Sequence, residues 1–234
     1  MSRQISPKVV LRNIRNKHTS DNTLNKTQKS NWNLKKLKII FNQEAIIFYA
    51  QSRMKVFTVD SDNKLYLNLL CKYFSRDMTF ETEHGGHLNK GLFIYGNKGS
   101  GKTTSLKIIQ SLYFKYQQRQ FWFPRIDCQE VVDKFNMARN KDYIVKNYSK
   151  GSFMFDDLGA ENLANNIHVF GKEDIFIRIM EARYNEFVNK GVRTHITSNL
   201  TPQDVGKRYG SRVEDRFYEM FNLIELNVSG ESRR

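Results

Sequence analysis

The sequence predicts an α/β fold, a mostly parallel sheet flanked by helices, and three observations carry that expectation. From residue 88 onward short apolar runs alternate with amphipathic stretches, the pattern of strand–helix–strand units. The first of those runs leads into a glycine-rich loop that opens a helical stretch. With 234 residues and 39% apolar content, the chain can hold one such domain and a smaller appendage.

The elements follow in order. Residues 1–30 are polar and rich in Asn, Lys, Ser and Thr, the composition of a flexible basic tail. Residues 31–87 read as a small N-terminal region that binds a partner or DNA. There Trp32, Leu34, Leu37, Ile39, Ile40 and Phe41 sit among Lys35, Lys36 and Lys38, followed by Ala45-Ile46-Ile47-Phe48-Tyr49. Both a helical docking module and a basic strip against DNA fit that mixture. Between Asn63 and Phe74, the residues Leu65, Leu67, Leu69, Leu70, Tyr73 and Phe74 recur at broadly helical spacing, with Asn63 or Asp62 as the cap.

Residues 88–234 form the main domain. Gly91-Leu92-Phe93-Ile94-Tyr95 is a short apolar strand, and Thr104 to Arg119 a helix. Phe121 to Asp127 reads as a strand in which Pro124 marks an edge or a bulge. A helix with Val131, Val132 and Phe135 follows, then the buried strand Ser152-Phe153-Met154-Phe155. Ile175 to Val188 is an amphipathic helix, Val192 to Ser198 a strand, Pro202–Tyr209 and Val213–Phe221 helices, and Leu223–Val228 the last strand. The aromatic groups Tyr113-Phe114-Tyr116 and Phe121-Trp122-Phe123 belong in the core of such an alternation rather than in a base-stacking surface.

The formal charge of +14 comes from 38 Lys/Arg against 24 Asp/Glu, which favours polyanions and nucleic acid above all. Residues 1–60 contain twelve basic and three acidic side chains, so most of the excess lies outside the main domain. A solvated tail without a specific partner is the bland alternative. No run approaches the ~20 apolar residues of a membrane span, and the first residues lack a secretory apolar stretch. Cys71 and Cys128 stand far apart among apolar or aromatic neighbours, as reduced thiols of a cytoplasmic protein do. His84-Gly85-Gly86-His87 has no common zinc-ligand spacing, with or without Cys71.

The chemistry concentrates at Gly96-Asn97-Lys98-Gly99-Ser100-Gly101-Lys102-Thr103, a full match to the phosphate-binding loop G-x-x-x-x-G-K-[ST]. A triphosphate needs many donors converging on its oxygens, and a backbone without side-chain obstruction can wrap closely enough to supply them. Lys102 would reach the β- and γ-phosphates, and the Thr103 hydroxyl would complete a Mg²⁺ shell. Thr104, next in the helix, closes the cofactor-binding set. ATP and Mg²⁺ are the implied ligands. The strand Phe153-Met154-Phe155 delivers Asp156 and Asp157, the first placed to hold the metal and the second to polarise an attacking water. Asn199, at the end of the strand Thr194 to Ser198, is placed to orient that water.

Taken in order, the loop, Asp156-Asp157-Leu158-Gly159-Ala160-Glu161, Thr197-Ser198-Asn199-Leu200 and Ser211-Arg212-Val213-Glu214-Asp215-Arg216-Phe217 resemble the AAA+ ATPases of the DnaC/DnaI type. These are bacterial replicative-helicase loaders of the P-loop NTPase (AAA+/RecA-like) fold, and the IstB-like helper ATPases of transposable elements share their motifs. The resemblance spans about residues 88–234. It implies a homo-oligomer in which an arginine of one subunit acts in trans on its neighbour's ATP, with Arg216 at the better-aligned position and Arg212 in support. A surface ion-pair network with Glu214 and Asp215 is the simpler role for either. Gly230-Glu231-Ser232-Arg233-Arg234 resembles the family's sensor-2-like ending, with Arg234 the better match and no full C-terminal lid. Where many AAA+ ATPases carry Glu, this chain has Asp157, one methylene shorter, which implies slow, switch-like turnover. The implied function is an ATP-dependent loader that grips DNA, single-stranded by preference, and passes a ring helicase onto it. A transposition helper that acts on duplex DNA and recruits a transposase is the alternative in the same class. A nucleotide-gated adaptor with negligible hydrolysis is the alternative in another.

Overall fold

In a computed structural model of the chain, the described residues are 32–53, 56–162, 164–166 and 171–229. The expectations for the tail at 1–30 and for Arg234 lie outside them.

The fold begins with α1 (Leu34–Arg53) and α2 (Ser61–Phe74). In α1 Leu37, Phe41, Ala45 and Tyr49 recur every fourth residue and are buried, so one stripe faces inward, while Lys35, Lys36 and Lys38 stay exposed. The cap of α2 is Asp60, the residue just before the helix begins. Its carboxylate accepts from the backbone of Asp62 and Asn63, and the Asn63 side chain accepts in return from the Asp60 N–H. The sequence reading placed the cap two or three residues too late because the asparagine belongs to the reciprocal half of this box. One short turn, α3 (Thr79–Thr82), leads to the sheet.

The sheet strands are β1 (Gly91–Tyr95), β2 (Arg125–Asp127), β3 (Phe153–Leu158), β6 (Thr194–Ser198) and β7 (Phe221–Glu225), all parallel and ordered β2-β3-β6-β1-β7. Helix α4 (Lys102–Tyr116) follows β1, α5 (Cys128–Met137) and α6 (Lys141–Ser149) follow β2, and a two-stranded antiparallel ribbon, β4 (Ala164–Asn166) and β5 (Gly171–Glu173), follows β3. Then come α7 (Ile175–Lys190) before β6, and α8 (Pro202–Tyr209) and α9 (Ser211–Met220) before β7. From β1 the chain crosses to the far edge at β2 and works back, so the strand order reverses beside β1. In open parallel sheets a ligand crevice forms at the carboxyl ends of strands at such a reversal. The loop after β1 lies there.

Alternation along the strands gives the sheet two covered faces. Phe93 and Phe155 point to one, where Phe217 of α9 and Phe176 of α7 meet them edge-on at 5.3 and 5.7 Å between ring centres. His195 points to the other, among Tyr73 and Phe74 of α2 and Phe123. Burial drives the His195 pKa down to about 3, and its Nδ1 accepts from the Leu92 N–H at 3.3 Å, so it serves as a neutral core residue. Gly91 permits the close strand approach, since a Cβ there would stand 1.7 Å from the Thr194 carbonyl oxygen. The described residues from Asn33 onward make one compact unit.

Several elements depart from the sequence reading. The helix after the loop stops at Tyr116, because Gln117 turns into the left-handed region (φ 54°). A 3-10 turn, Arg119–Phe121, follows, and the expected strand shrinks to three residues. Phe121 and Phe123 plug the core from that connection, as anticipated, whereas Phe114 is 62% exposed. Helix α6 and the ribbon occupy stretches for which the periodicity gives no element.

Candidate functional site

The loop at residues 96–101 runs from the end of β1 to the start of α4. Gly96 (φ 138°) passes so close to the chain after β7 that a Cβ would stand 2.2 Å from the Leu226 carbonyl oxygen. Gly101 (φ 102°) is the left-handed cap of α4, a conformation that side chains with a Cβ resist. Asn97 stitches the loop to the same chain segment: its Nδ2 donates to the Val228 carbonyl at 2.8 Å, and its Oδ1 accepts from the Val228 N–H at 3.1 Å. Lys98 is exposed, while Gly99 and Ser100 are buried. The helix start turns the amides of the first turn, at Lys102, Thr103 and Thr104, toward the loop's mouth.

Lys102 is 4% exposed, and its ammonium donates to the carbonyls of Gly96 at 2.8 Å and Asn97 at 2.9 Å, and to Asn199 Oδ1 at 3.0 Å. Loop, helix and the end of β6 thus meet on one cation. Thr103, one residue on, donates to Asp156 Oδ1 at 2.7 Å. Thr197 of β6 donates to the same oxygen at 2.6 Å, and its own oxygen accepts from the Asp157 N–H at 3.0 Å. Arg125 Nη1 of β2 reaches Asp156 Oδ2 at 2.8 Å. The loop, Lys102, Thr103, Asp156 and Asn199 are therefore brought together, as the sequence reading expects, and Asp157 is tied to them through Thr197.

Asp157 has a left-handed backbone (φ 57°), uncommon for a residue with a Cβ, and the β3–β6 register shifts between Phe155 and Leu158. The strand does not end at the aspartate pair but bulges there and goes on to Leu158, which turns Asp157 out of the ladder. Below the bulge, Glu161 is buried. Its Oε2 accepts from the Gly159 N–H at 2.7 Å, and its Oε1 accepts from Tyr209 Oη at 2.5 Å and Arg208 Nη2 at 2.9 Å. Arg208 also donates to the Glu161 carbonyl at 2.7 Å and to that of Gly159. Its Nε lies 3.5 Å from Asp174 Oδ2.

The donor set suits the ligands the motif implies. A hydroxyl and a buried carboxylate, Thr103 and Asp156, are hard oxygen donors of the kind Mg²⁺ prefers. A cavity of about 340 Å³ opens beside the loop, lined by Tyr49, Phe57, Asn63 and Tyr66 on one side and Ser100, Gly101 and Thr104 on the other. Among the described residues no cluster of three His, Cys, Asp or Glu side chains could hold a metal by itself.

Arg212 and Arg216 lie apart from this constellation, on α9, and converge on Glu181 Oε1 at 3.5 and 3.1 Å. The Arg212 side chain is 76% exposed and that of Arg216 only 14%. The Arg216 guanidinium lies over the Tyr184 ring at 4.9 Å, and its Nη1 is buried without hydrogen-bond geometry to any partner. Three features escape the sequence reading: Thr197, Arg125 and the aromatic cavity. Thr197 carries the one available signal, since it lies two residues before Asn199 in an alternating strand. Arg125 and the cavity carry none, because both depend on tertiary neighbours.

No family model matches the chain. A stretch of 117 residues is 28% identical to the chromosomal replication initiator protein DnaA of Mycoplasma pneumoniae, covering 49% of this chain and 26% of that protein. The chain thus matches only about a quarter of that curated relative's length. Among solved structures, the crystal structure of DnaI aligns at a TM-score of 0.50 with 21% identity, over 82% of this chain and 100% of that one. That of a DNA replication initiation factor aligns at 0.51 with 19% identity, over 76% of this chain and 50% of that one. These likenesses are of fold: the five-stranded parallel sheet flanked by helices is the AAA+ P-loop arrangement that the motifs imply.

Proposed function

We propose that the chain is an ATP-dependent helicase loader, an oligomeric and slow ATPase that grips single-stranded DNA and delivers a ring helicase onto it. The observation that supports this most is the convergence of Lys102, Thr103, Asp156, Thr197 and Asn199 at the carboxyl ends of adjacent parallel strands, on a fold shared with DnaI.

In this reading Lys102 leaves the loop carbonyls for the β- and γ-phosphates, and the amides of the loop and of the first turn of α4 bind the remaining oxygens. Thr103 and Asp156 hold Mg²⁺, which supplies charge neutralisation at the transferring phosphoryl group. Asp157 polarises the attacking water and Asn199 orients it. The cavity beside the loop takes the base, with Tyr49 and Phe57 offering ring faces. Arg216, assigned by its motif position, acts on the ATP of the next subunit, and the exposed Arg212 supports it. Supplying that cation from a neighbour makes hydrolysis depend on assembly. The exposed Lys35, Lys36 and Lys38 of α1 and the basic residues before them bind the DNA backbone or the helicase.

The test combines assembly and partner. Arg216→Ala should bind ATP normally and hydrolyse about 10³-fold more slowly. Mixing it with Asp157→Asn protein should restore part of the activity, because a subunit with intact Asp157 can then receive an intact arginine. Background activity at every ratio, with co-assembly shown by cross-linking, would sink the trans arginine. Rescue by mixing with Arg212→Ala in its place would exchange the roles of the two. Loading is read from ATP-dependent transfer of a ring helicase to circular single-stranded DNA. Tighter ATP-state binding to duplex than to single strands would move the reading to a transposition helper. Binding should weaken steeply with salt, as counterion release dictates.

A further inference from the structure

Asp156 keeps company with three donors, and they are not equivalent. Thr103 and Thr197 each give a neutral hydroxyl to Oδ1, at 2.7 and 2.6 Å. An uncharged hydroxyl does not oppose a cation, and the Thr103 oxygen retains lone pairs that could face one. Arg125 is different: it places a full positive charge 2.8 Å from Oδ2. A guanidinium and a divalent cation drawn to one carboxylate repel each other. The two partners also differ in freedom. The Asp156 side chain is 5% exposed and fixed by both threonines, while that of Arg125 is 33% exposed on the edge strand β2 and can swing into water.

We propose that Arg125 is the resident counter-ion of Asp156, a competitor that the metal must displace, and that it thereby sets the Mg²⁺ concentration at which the site loads. This rests on the nucleotide reading above. Without Arg125, a buried carboxylate would keep two hydroxyl donors and, among the described residues, no ion-pair partner, so a divalent ion would gain by pairing with it. With Arg125 in place, part of that gain is spent on releasing the guanidinium. Arg125 is thus a positioning residue: it holds Asp156 Oδ2 while Oδ1 meets Thr103, and it makes loading conditional on metal supply.

The experiment measures binding of a fluorescent ATP analogue to the full-length protein as free Mg²⁺ is varied, in wild type, Arg125→Gln, Arg125→Met and Arg125→Lys. For Gln and Met the Mg²⁺ midpoint should fall about tenfold, the factor expected for losing one charge-assisted hydrogen bond. Affinity at saturating Mg²⁺ should stay at the wild-type value. Arg125→Lys, which keeps the charge, should stay closer to wild type than either. A midpoint unmoved in both neutral variants would overturn the proposal. So would weaker binding at saturating Mg²⁺, which would make Arg125 a phosphate-binding cation instead. A wild-type protein that binds no nucleotide at any Mg²⁺ concentration would overturn the nucleotide reading itself, an outcome distinct from the other two. Two neutral substitutions of different shape guard against one of them misfolding, and thermal melts identify that case.

Discussion

Two carboxylate clusters flank the bulge in β3, and they are wired in opposite ways. Above it, one acid has three donors: Asp156 accepts from Thr103, Thr197 and Arg125, each on a different strand or helix. Below it, two acids share one arginine: Glu161 has Arg208, Tyr209 and a backbone amide, while Asp174 lies 3.5 Å from the Arg208 Nε and its Oδ2 is buried without a hydrogen bond. Arg208 also bridges the two ends of the ribbon segment, from Glu161 on the entry side to Asp174 on the exit side. The difference teaches where charge is kept for exchange and where it serves as a staple. In the upper cluster the arginine is the exposed partner and can leave. The lower arginine is held by two carbonyls and a fully buried carboxylate, so it cannot leave without stranding that acid.

The contrast breaks first if the upper cluster proves structural. Lys102→Ala and Asp156→Asn should each lower ATP hydrolysis by at least a hundredfold, the scale of losing one organised contact to the transferring group. Neither should shift the urea midpoint much, because Lys102 donates to part-buried loop carbonyls and Asn199 rather than packing in the apolar core, and Arg125 can turn to solvent. Wild-type hydrolysis in Lys102→Ala would show that the loop is not the phosphate site. The lower cluster should behave in reverse. Arg208→Ala leaves Glu161 buried with its charge uncompensated and should cost about 3 kcal/mol of stability. For a chain of this size that is a fall in Tm of roughly 6–12 °C. Calorimetry checks it, and a change under 2 °C or so would make the cluster dispensable to the fold.

The same contrast explains how much could be read beforehand. The loop and the strands on either side of it were legible because their chemistry is local: glycines at fixed spacing, an apolar run ending in acids, a lysine at a helix start. The extent of β3 was not, because the bulge at Asp157 depends on Thr197, forty residues away, accepting its N–H. Arg125 reads as an ordinary charged residue beside a proline until β2 pairs with β3 and sets it next to Asp156. Helix α6 escaped because its buried apolar positions, Val145 and Tyr148 beside the polar Ser149, are too few to make a stripe, and its start depends on the Asn140 side chain capping Tyr143. The cap of α2 was misplaced for the opposite reason: Asp60, Asp62 and Asn63 all suit a cap, and composition does not rank them. Arg212 and Arg216 could be placed on one helix but not told apart by exposure, since the packing of Arg216 against Tyr184 is tertiary.

The smallest expected effect is also the most diagnostic of the lower cluster. Burial, and then the charge of Glu161, raise the Asp174 pKa from 3.8 to about 6. A carboxyl with a raised folded-state pKa favours the folded state when protonated, so its contribution is present at low pH and is lost as pH rises through that value. Near neutrality the folded protein therefore carries an ionised Asp174 in a place that disfavours the charge. Asp174→Asn should remove that burden while keeping the cap of α7, because the side-chain oxygen that accepts from the Phe176 N–H at 3.1 Å is retained. A shift of this size corresponds to at most about 3 kcal/mol, and partial exposure together with the nearby Arg208 should reduce the gain to about 1 kcal/mol. Urea melts at a series of pH values read it. The variant should be the more stable protein at about pH 7.5, and its advantage should shrink between roughly pH 6 and pH 4, where wild-type Asp174 takes up its proton. A variant less stable than wild type at neutral pH would show that the Asp174–Arg208 pair outweighs the burial, and the lower cluster would then be balanced like the upper one.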